Sequence, residues 1–278
     1  PPPPTLLLRP SSSDPLPLVR SRPLSLPRAQ IPCLRAFKAA LEPMLTGQSV
    51  HDAIDAVVRP LTMSPKCSVA QALKRKAAKD EAGKPYVAPA TVLFTYTDGA
   101  LVTDVLEAVE RYAASQPKVE DVYVQLDLLC SNQHADAPSS LPMLWWQSCF
   151  RQGVKSIGAV CLALLPWDEP PALRRSWCLW QLHTALSLSL PIHIATTAKE
   201  DAKLREKLVQ DMDAPMKQLD TRRDGFKSQA EGDTDAQKAL VEKAIEKGHE
   251  HGYEEFGRKL ADVLHKWLLE RAKKVLEE

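Results

Sequence analysis

The sequence predicts an α/β protein in which a parallel β-sheet is flanked by helices. Between residues 86 and 198, short segments rich in β-branched and apolar residues alternate with segments whose apolar residues recur at helical spacing. The segment 157–165 is apolar throughout, which is typical of a strand buried on both faces. Strands that alternate with helices are joined by right-handed crossovers and form a parallel sheet. The charged, helical segments on either side predict helical N- and C-terminal extensions.

Composition narrows the class of protein. The 278 residues suffice for one or two domains, and 44% hydrophobic residues are enough to bury a core. A net charge of +1 offers no general electrostatic attraction for nucleic acid or for an anionic membrane. Six cysteines without a CxxC pair indicate buried free thiols in a reducing compartment. No apolar run reaches the roughly 18 residues that span a bilayer, so the sequence predicts a soluble protein.

Residues 1–32 form a proline-rich segment. Its ten prolines prevent a persistent helix or central strand, and we expect a mostly disordered arm. Four arginines against one aspartate, with clustered serines, also fit the remnant of a transit peptide for a mitochondrion or plastid. A docking arm in polyproline conformation is a third interpretation. The expected location is therefore intracellular, with the cytoplasm as the default and an organelle as the alternative.

Residues 33–85 predict a helical extension of two or three short helices, interrupted at Pro43, Pro60 and Pro65. The basic run at 74–79 has no interleaved aromatic residue, and acidic residues follow at once. It is therefore interpreted as a solvated helix face and not as a nucleic-acid site.

Residues 86–198 contain the predicted sheet, and residues 199–278 a helical appendage. The predicted strands are 91–96, 122–129, 156–165 and 191–195, and the predicted helices of the whole region are 101–112, 141–152, 172–188, 199–219 and 235–247, with a last apolar stripe at 256–268. Trp267 in this last stripe would expose a large apolar area, so we expect the final helix to pack back on the domain.

The segment 176–182, which reads Ser-Trp-Cys-Leu-Trp-Gln-Leu, resembles a known family. In Toll/interleukin-receptor (TIR) domains, Ser, Trp and Cys are followed by a Glu three residues after the Cys. The similarity is closest to TIR-like proteins of algae and other protists, with further motifs at 94–96, 126–134 and 165–168. It covers residues 90–197 and extends more loosely to about residue 269. The resemblance implies a flavodoxin-like or TIR-like sheet of about four strands in the order 2-1-3-4.

The resemblance also points to one position of chemical interest. In TIR domains that cleave NAD, the Glu of this segment is catalytic, and Gln181 occupies its place here. A carboxylate stabilises the cationic state through which the bond to nicotinamide breaks, whereas an amide has neither the charge nor the basicity. Three interpretations stay open: Gln181 only lines a helix face, it lines a ligand pocket without efficient turnover, or Asp98 or Asp168 acts as the carboxylate.

The order 2-1-3-4 places the switch point between the first and third strands, where doubly wound sheets bind ligands at the carboxyl ends. We expect residues that follow these two strands to surround one crevice, beside the start of the helix 172–188. The candidate ligand-cleft residues are Thr97, Asp98, Trp167, Asp168, Trp177 and Gln181. The tryptophans would serve either as a stacking platform for a nucleotide base or as core packing.

Other motifs argue against alternative chemistries. The glycine signatures of phosphate-binding loops are missing, which argues against kinases and dehydrogenases. Cys130 and His134 lack a second ligand pair, and the segment 249–251 is a weak metal candidate on a solvent-facing helix end. No metal site is predicted.

Together these observations predict a non-catalytic TIR-like module for protein interaction or assembly, a pseudoenzyme or scaffold with no cofactor. Protein partners or a second copy are the expected ligands, without nucleic acid and without a membrane span. One alternative is a TIR-type enzyme that consumes NAD or binds a nucleotide in the same crevice. Another is a structural accessory subunit of a large organellar complex.

Overall fold

The computed structural model describes residues 29–64, 66–80, 82–134, 143–222, 226 and 234–277. The predicted disordered arm therefore lies outside the described residues, apart from its last four positions. Those four are ordered: two form a short strand and two begin a helix.

A sheet of five strands forms the centre of the described structure. The strands are β1 (Ala29–Gln30), β2 (Val92–Thr95), β3 (Tyr123–Gln125), β4 (Val160–Ala163) and β5 (Ile192–Ala195), in the spatial order β1-β3-β2-β4-β5. Strands β2 to β5 are parallel and correspond to the four predicted strands, so the predicted order 2-1-3-4 is confirmed. Strand β1 was not predicted; it pairs antiparallel with β3 and closes that edge of the sheet.

Helices account for most of the remaining described residues. They are α1 (Ile31–Leu45), α2 (Val50–Ala53), α3 (Arg59–Leu61), α4 (Val69–Arg75), α5 (Val102–Ala114), α6 (Asp127–Cys130), α7 (Met143–Ile157), α8 (Ser176–Ser187), α9 (Ala198–Gln210), α10 (Asp213–Gln218), α11 (Asp235–Gly248) and α12 (Gly252–Glu277). A π-helical turn, Ile54–Val58, joins α2 to α3, and a 3₁₀ turn, Pro171–Leu173, precedes α8.

Prolines interrupt the N-terminal helices less than predicted. Pro43 lies within the last turn of α1, where its missing N–H removes only one helical hydrogen bond. Pro60 lies inside α3, directly after the π-helical turn. We attribute that turn to Pro60, since a proline cannot keep the regular α-helical bonding of the residues before it.

Two boundaries of the α/β region also differ from the prediction. Residues 127–129, predicted as the end of the second strand, belong to helix α6, and residues 156–157, predicted to open the third strand, end helix α7. Short apolar runs fit a strand and a buried helix equally well, so periodicity alone does not separate them.

Apolar side chains fill both faces of the sheet. Along β2, Phe94 points into one core with helices α1, α2, α4, α5 and α6, and Leu93 points into a second core with helices α7 to α12. Cys161 and Leu162 of β4 alternate in the same way. This alternation follows from the two-residue repeat of a strand, and it requires helices on both faces.

The cysteines agree with the expectation of free thiols. No disulfide joins the described cysteines Cys67, Cys130, Cys149, Cys161 and Cys178, and all except Cys149 are buried.

The last helix packs back on the domain, as predicted. Phe256, Leu260 and Leu264 of α12 are fully buried in the second core, and Trp267 is only 8% exposed. An ionic contact also fixes this helix: the Asp201 carboxylate lies 3.2 Å from Arg111 of α5 and 3.2 Å from Arg271 of α12. One acidic side chain of α9 therefore links helices from the two cores.

A buried histidine pair joins α8 to the turn between α11 and α12. His183 Nδ1 lies 3.0 Å from His249 Nε2, so one imidazole donates a hydrogen bond to the other. Burial, the neighbouring His249 and the charge of Arg151 lower the pKa of His183 to about 4. His249, expected on a solvent-facing helix end, is buried because it packs against Phe256, whereas His251 is exposed.

We expect Leu264→Ala to lower the free energy of unfolding by about 2 to 5 kcal/mol, because it leaves a cavity in the second core. Leu276→Ala is the matched control on the same helix: its side chain is 75% exposed, against 0% for Leu264. The control should change stability by less than about 0.5 kcal/mol. Urea unfolding measures both, and equal effects would show that α12 does not pack as described.

The histidine pair predicts a loss of stability in mild acid. Below the ordinary pKa of 6.5, an unfolded His183 binds a proton that the folded one, with a pKa of about 4, does not. The neutral, buried His183 therefore contributes to the free energy of unfolding in full above pH 6.5. This contribution is lost as the pH falls towards 4, by about 2 kcal/mol between about pH 7.5 and pH 5. Unfolding at both pH values should show a smaller loss in His183→Gln. The exposed-site control His251→Gln should keep the wild-type loss, and an unchanged loss in His183→Gln would contradict the assignment.

Candidate functional site

A pocket of about 330 Å³ opens at the carboxyl end of β2, beside the switch point between β2 and β4. This is where doubly wound sheets bind their ligands. Five segments of the chain meet there: the loop after β2, the N-terminal half of α8, the α2 region, helix α6 and the start of α11. The residues that line it are His51, Ile54, Phe94, Tyr96, Thr97, Asp98, Asp127, Arg175, Trp177, Cys178, Gln181 and Gln237.

The structure brings together four of the six predicted cleft residues. Thr97, Asp98, Trp177 and Gln181 line the pocket, whereas Trp167 and Asp168 do not. The side chain of Trp167 is 3% exposed and lies in the second core. Asp168 lines a separate pocket of about 290 Å³ near α10.

The cause of this separation is a contact made by the loop after β4. The backbone N–H of Trp167 donates to Glu200 Oε2 of α9 over 3.1 Å. Glu200 is itself buried and also accepts a hydrogen bond from Lys203 Nζ at 2.7 Å. The loop is therefore held towards α9, away from the end of β2.

An ion pair closes one side of the pocket. Arg175 Nη1 and Nη2 lie 2.9 and 3.0 Å from Asp98 Oδ1 and Oδ2, a two-pronged contact that fixes both side chains. The Asp98 loop is also tied to α2, because the N–H of His51 donates to the Asp98 carbonyl over 2.9 Å. The charge of the Asp98 carboxylate is thus largely offset by the guanidinium.

Gln181 faces the pocket from α8 and is 8% exposed. Its helix is held against the end of β2, since the Cys178 thiol donates to the Tyr96 carbonyl over 3.3 Å. Trp177 stacks at a tilt on Phe150 of α7, with ring centroids 5.5 Å apart, so its ring is positioned by packing. Gln181 follows Cys178 by three positions, nearly one helical turn, which directs both side chains towards the sheet.

Asp127 and Tyr96 are titratable groups of the pocket that were not among the predicted cleft residues. The Tyr96 hydroxyl accepts a hydrogen bond from the N–H of Leu128 over 2.9 Å, and burial raises its pKa well above the ordinary value. Asp127 is reached by solvent through the mouth of the pocket, but desolvation by the surrounding walls still raises the pKa of its carboxyl. A hydrogen bond donated by Ser131 acts in the opposite direction. The aspartate was visible in the motif 126–134 but was assigned to a strand.

The terminal extensions also contribute to the pocket. His51 and Ile54 come from the N-terminal extension, and Gln237 comes from α11. No local pattern in the sequence connects these positions to residues 94–98, because their contact depends on how distant helices pack. The site is thus wider than the predicted domain 86–198.

The arrangement suits a small polar ligand with a flat ring. Trp177 supplies an aromatic face, while Arg175, Asp98 and Asp127 supply charges of both signs. Within the described ranges, no three His, Cys, Asp or Glu side chains are grouped so as to hold a metal ion. None of the helices in the described part of the chain combines the length and apolar character needed to cross a membrane.

Comparisons of the chain with known protein families, with curated proteins and with solved structures gave no match.

We expect Ser131→Ala to raise the pKa of Asp127 further. The Ser131 hydroxyl donates to the ionised carboxylate, so its loss removes an interaction that favours the charged form. A carboxyl ¹³C titration by NMR measures this pKa in both proteins. Ser49→Ala is the control, because Ser49 donates instead to Asp52 over 2.7 Å; a fall in the Asp127 pKa in Ser131→Ala would contradict the described contact.

Proposed function

We propose that this chain is a TIR-like module for protein interaction or assembly, whose pocket does not cleave NAD. The observation that carries the proposal is the position of Gln181. It lines the pocket at the carboxyl end of the sheet, and it stands where the resemblance implies a catalytic glutamate. The parallel order β3-β2-β4-β5 is the order that the resemblance implies, which supports the same assignment.

The electrostatics of the pocket favour a non-catalytic role. Cleavage of a nicotinamide bond needs negative charge at the place where cationic character develops. An amide at position 181 supplies none, and the loss of such a group typically lowers a rate by about 10² to 10⁴. Asp98 compensates poorly, because Arg175 holds both of its carboxylate oxygens.

Exposed apolar side chains support an interaction role. Leu61 and Met63, at the end of α3 and just beyond it, are 55% and 57% exposed, and Met44 of α1 is also open to solvent. Apolar side chains that stay exposed to solvent are available for contact with another protein.

One observation favours the enzymatic alternative. Asp127 is a second carboxylate of the same pocket, and desolvation raises the pKa of its carboxyl, which makes it a stronger base than an ordinary aspartate. In that alternative, the pocket binds a nucleotide such as NAD, and Asp127 takes the place of the missing glutamate.

Nicotinamide release from NAD at high protein concentration separates the two functions. We expect no release by the wild-type chain and measurable release by Gln181→Glu, since the substitution restores a carboxylate at the position implied by the resemblance. Gln237→Glu is the matched control, because it makes the same chemical change elsewhere on the pocket wall. It should remain inactive.

Each other outcome has a definite meaning. Release by the wild-type chain that is lost in Asp127→Asn would overturn the non-catalytic assignment in favour of the alternative. If neither the wild-type chain nor Gln181→Glu releases nicotinamide, the link between this pocket and NAD-cleaving TIR domains is removed. The pocket would then have a structural role only.

A further inference from the structure

A second cavity, of about 620 Å³, runs along strand β5 at the outer edge of the sheet. We call it the β5 groove. Its floor is the strand itself with the two residues before it, and its walls are the end of α5 and the last turns of α12. The lining residues are Tyr112, Ser115, Gln116, Leu190, Pro191, Ile192, His193, Ile194, Val263, Lys266, Trp267, Glu270, Arg271 and Lys274.

The floor of the groove presents backbone groups that the sheet does not use. The N–H groups of Val160 and Leu164 donate to the carbonyls of Pro191 and Ala195, each over 3.0 Å. In a parallel ladder with this register, every second residue of β5 bonds to β4, and Ile192 and Ile194 direct their N–H and C=O groups outward. No other described residue forms a hydrogen bond with these outward groups.

Helices α5 and α12 form the two walls of the groove, one on each side of β5. On the α5 side, the ring of His193 packs against Tyr112 with centroids 5.4 Å apart. On the α12 side, Ile192 and Ile194 pack on the second core near Trp267. A strand added here would direct alternate side chains to α5 and to α12.

The α12 wall of the groove is basic. Lys266 and Lys274 have no ion-pair partner within the described ranges, and Glu270 is the one carboxylate among the lining residues. Arg271 contacts Asp201, which Arg111 also contacts. The α12 wall therefore carries three cations, Lys266, Arg271 and Lys274, against Glu270 and the neighbouring Asp201, which leaves an excess of one positive charge.

We propose that the β5 groove binds an extended acidic segment of a partner protein, which adds to the sheet as a sixth strand. Backbone hydrogen bonds to Ile192 and Ile194 supply the docking geometry, and Lys266 and Lys274 select acidic side chains on the α12 side. A second copy of this chain fits the edge poorly, because pairing of two β5 strands would bring two basic walls together.

This inference names the surface and the partner chemistry of the proposed interaction module, and it rests on that proposed function. The β5 groove shares no lining residue with the pocket of Gln181. A negative result in the nicotinamide assay therefore does not determine the result of the peptide-binding experiment, and the reverse also holds. A chain that cleaves NAD can still bind a peptide at β5, and an inactive chain can fail to bind one.

Binding is measured by fluorescence anisotropy with three labelled eight-residue peptides, in which threonine alternates with glutamate, glutamine or lysine. We expect the glutamate peptide to bind at least about tenfold more tightly than the lysine peptide at low salt. The double variant Lys266→Glu, Lys274→Glu should reverse this preference. Lys273→Glu is the matched control, an exposed lysine of the same helix outside the groove, and it should keep the wild-type preference.

Amide hydrogen exchange identifies the mode of binding. The glutamate peptide should slow exchange at the amides of Ile192 and Ile194, which face outward in the free chain. Ile194→Pro removes one outward donor and leaves the ladder to β4 intact, so it should weaken peptide binding while circular dichroism shows an unchanged fold.

Three results would overturn the proposal. One is the absence of a preference for the glutamate peptide over the lysine peptide. Another is peptide binding that leaves exchange at Ile192 and Ile194 unchanged. The third is protection of both amides that grows with protein concentration in the absence of peptide, which would assign the edge to a second copy of the chain.

Discussion

The burial of both faces of a four-stranded parallel sheet is the constraint on which the rest of this structure depends. Successive residues of β2 and β4 point into opposite cores, so neither face tolerates water. Helices outside the alternation of strands and helices contribute buried side chains to both cores. Helix α1 packs on α5 at one face, and α11 and α12 pack on α8 at the other. The terminal segments are therefore part of the fold and not attachments to it.

The same constraint explains why the candidate site is built from distant parts of the chain. A helix that covers a face of the sheet also reaches its carboxyl edge, where the loops after the strands leave a crevice. His51 from the N-terminal extension and Gln237 from α11 reach the pocket in this way. The ion pair between Asp98 and Arg175 then joins the loop after β2 to the start of α8. Packing of the outer helices and geometry of the pocket are thus coupled.

The sequence was sufficient to predict a strand or helix where the pattern that identifies it lies within the element itself. The apolar run of β4 and the β-branched residues of β2 identify buried strands, and the apolar stripe of α12 indicates that this helix packs on the core. The order of the strands came from the resemblance, not from any periodicity. Where a position depends on a distant partner, local patterns fail. Helix α6 has the same apolar character as a strand, and the backbone contact with Glu200 that moves Trp167 away from the pocket spans 33 residues.

Long-range partners also explain the buried polar groups. His249 stands in a polar segment, which indicates a solvent-facing helix end, yet it pairs with His183, 66 positions earlier. Asp127 follows a strand, a position from which a side chain reaches the carboxyl edge of a sheet. The sequence therefore contained a signal for Asp127 that the longer strand assignment concealed, and none for the histidine pair.

The two edges of the parallel sheet differ in whether another strand covers them. Two residues of β1 pair with β3 and close one edge, whereas β5 leaves the outward groups of Ile192 and Ile194 without a described partner. An open edge invites pairing with another copy, and lysines along an edge are a common protection against it. Lys266 and Lys274 stand where they provide that protection. A charge that repels an identical edge attracts an acidic one, so the protection of β5 against self-pairing also gives it a preference for an acidic strand.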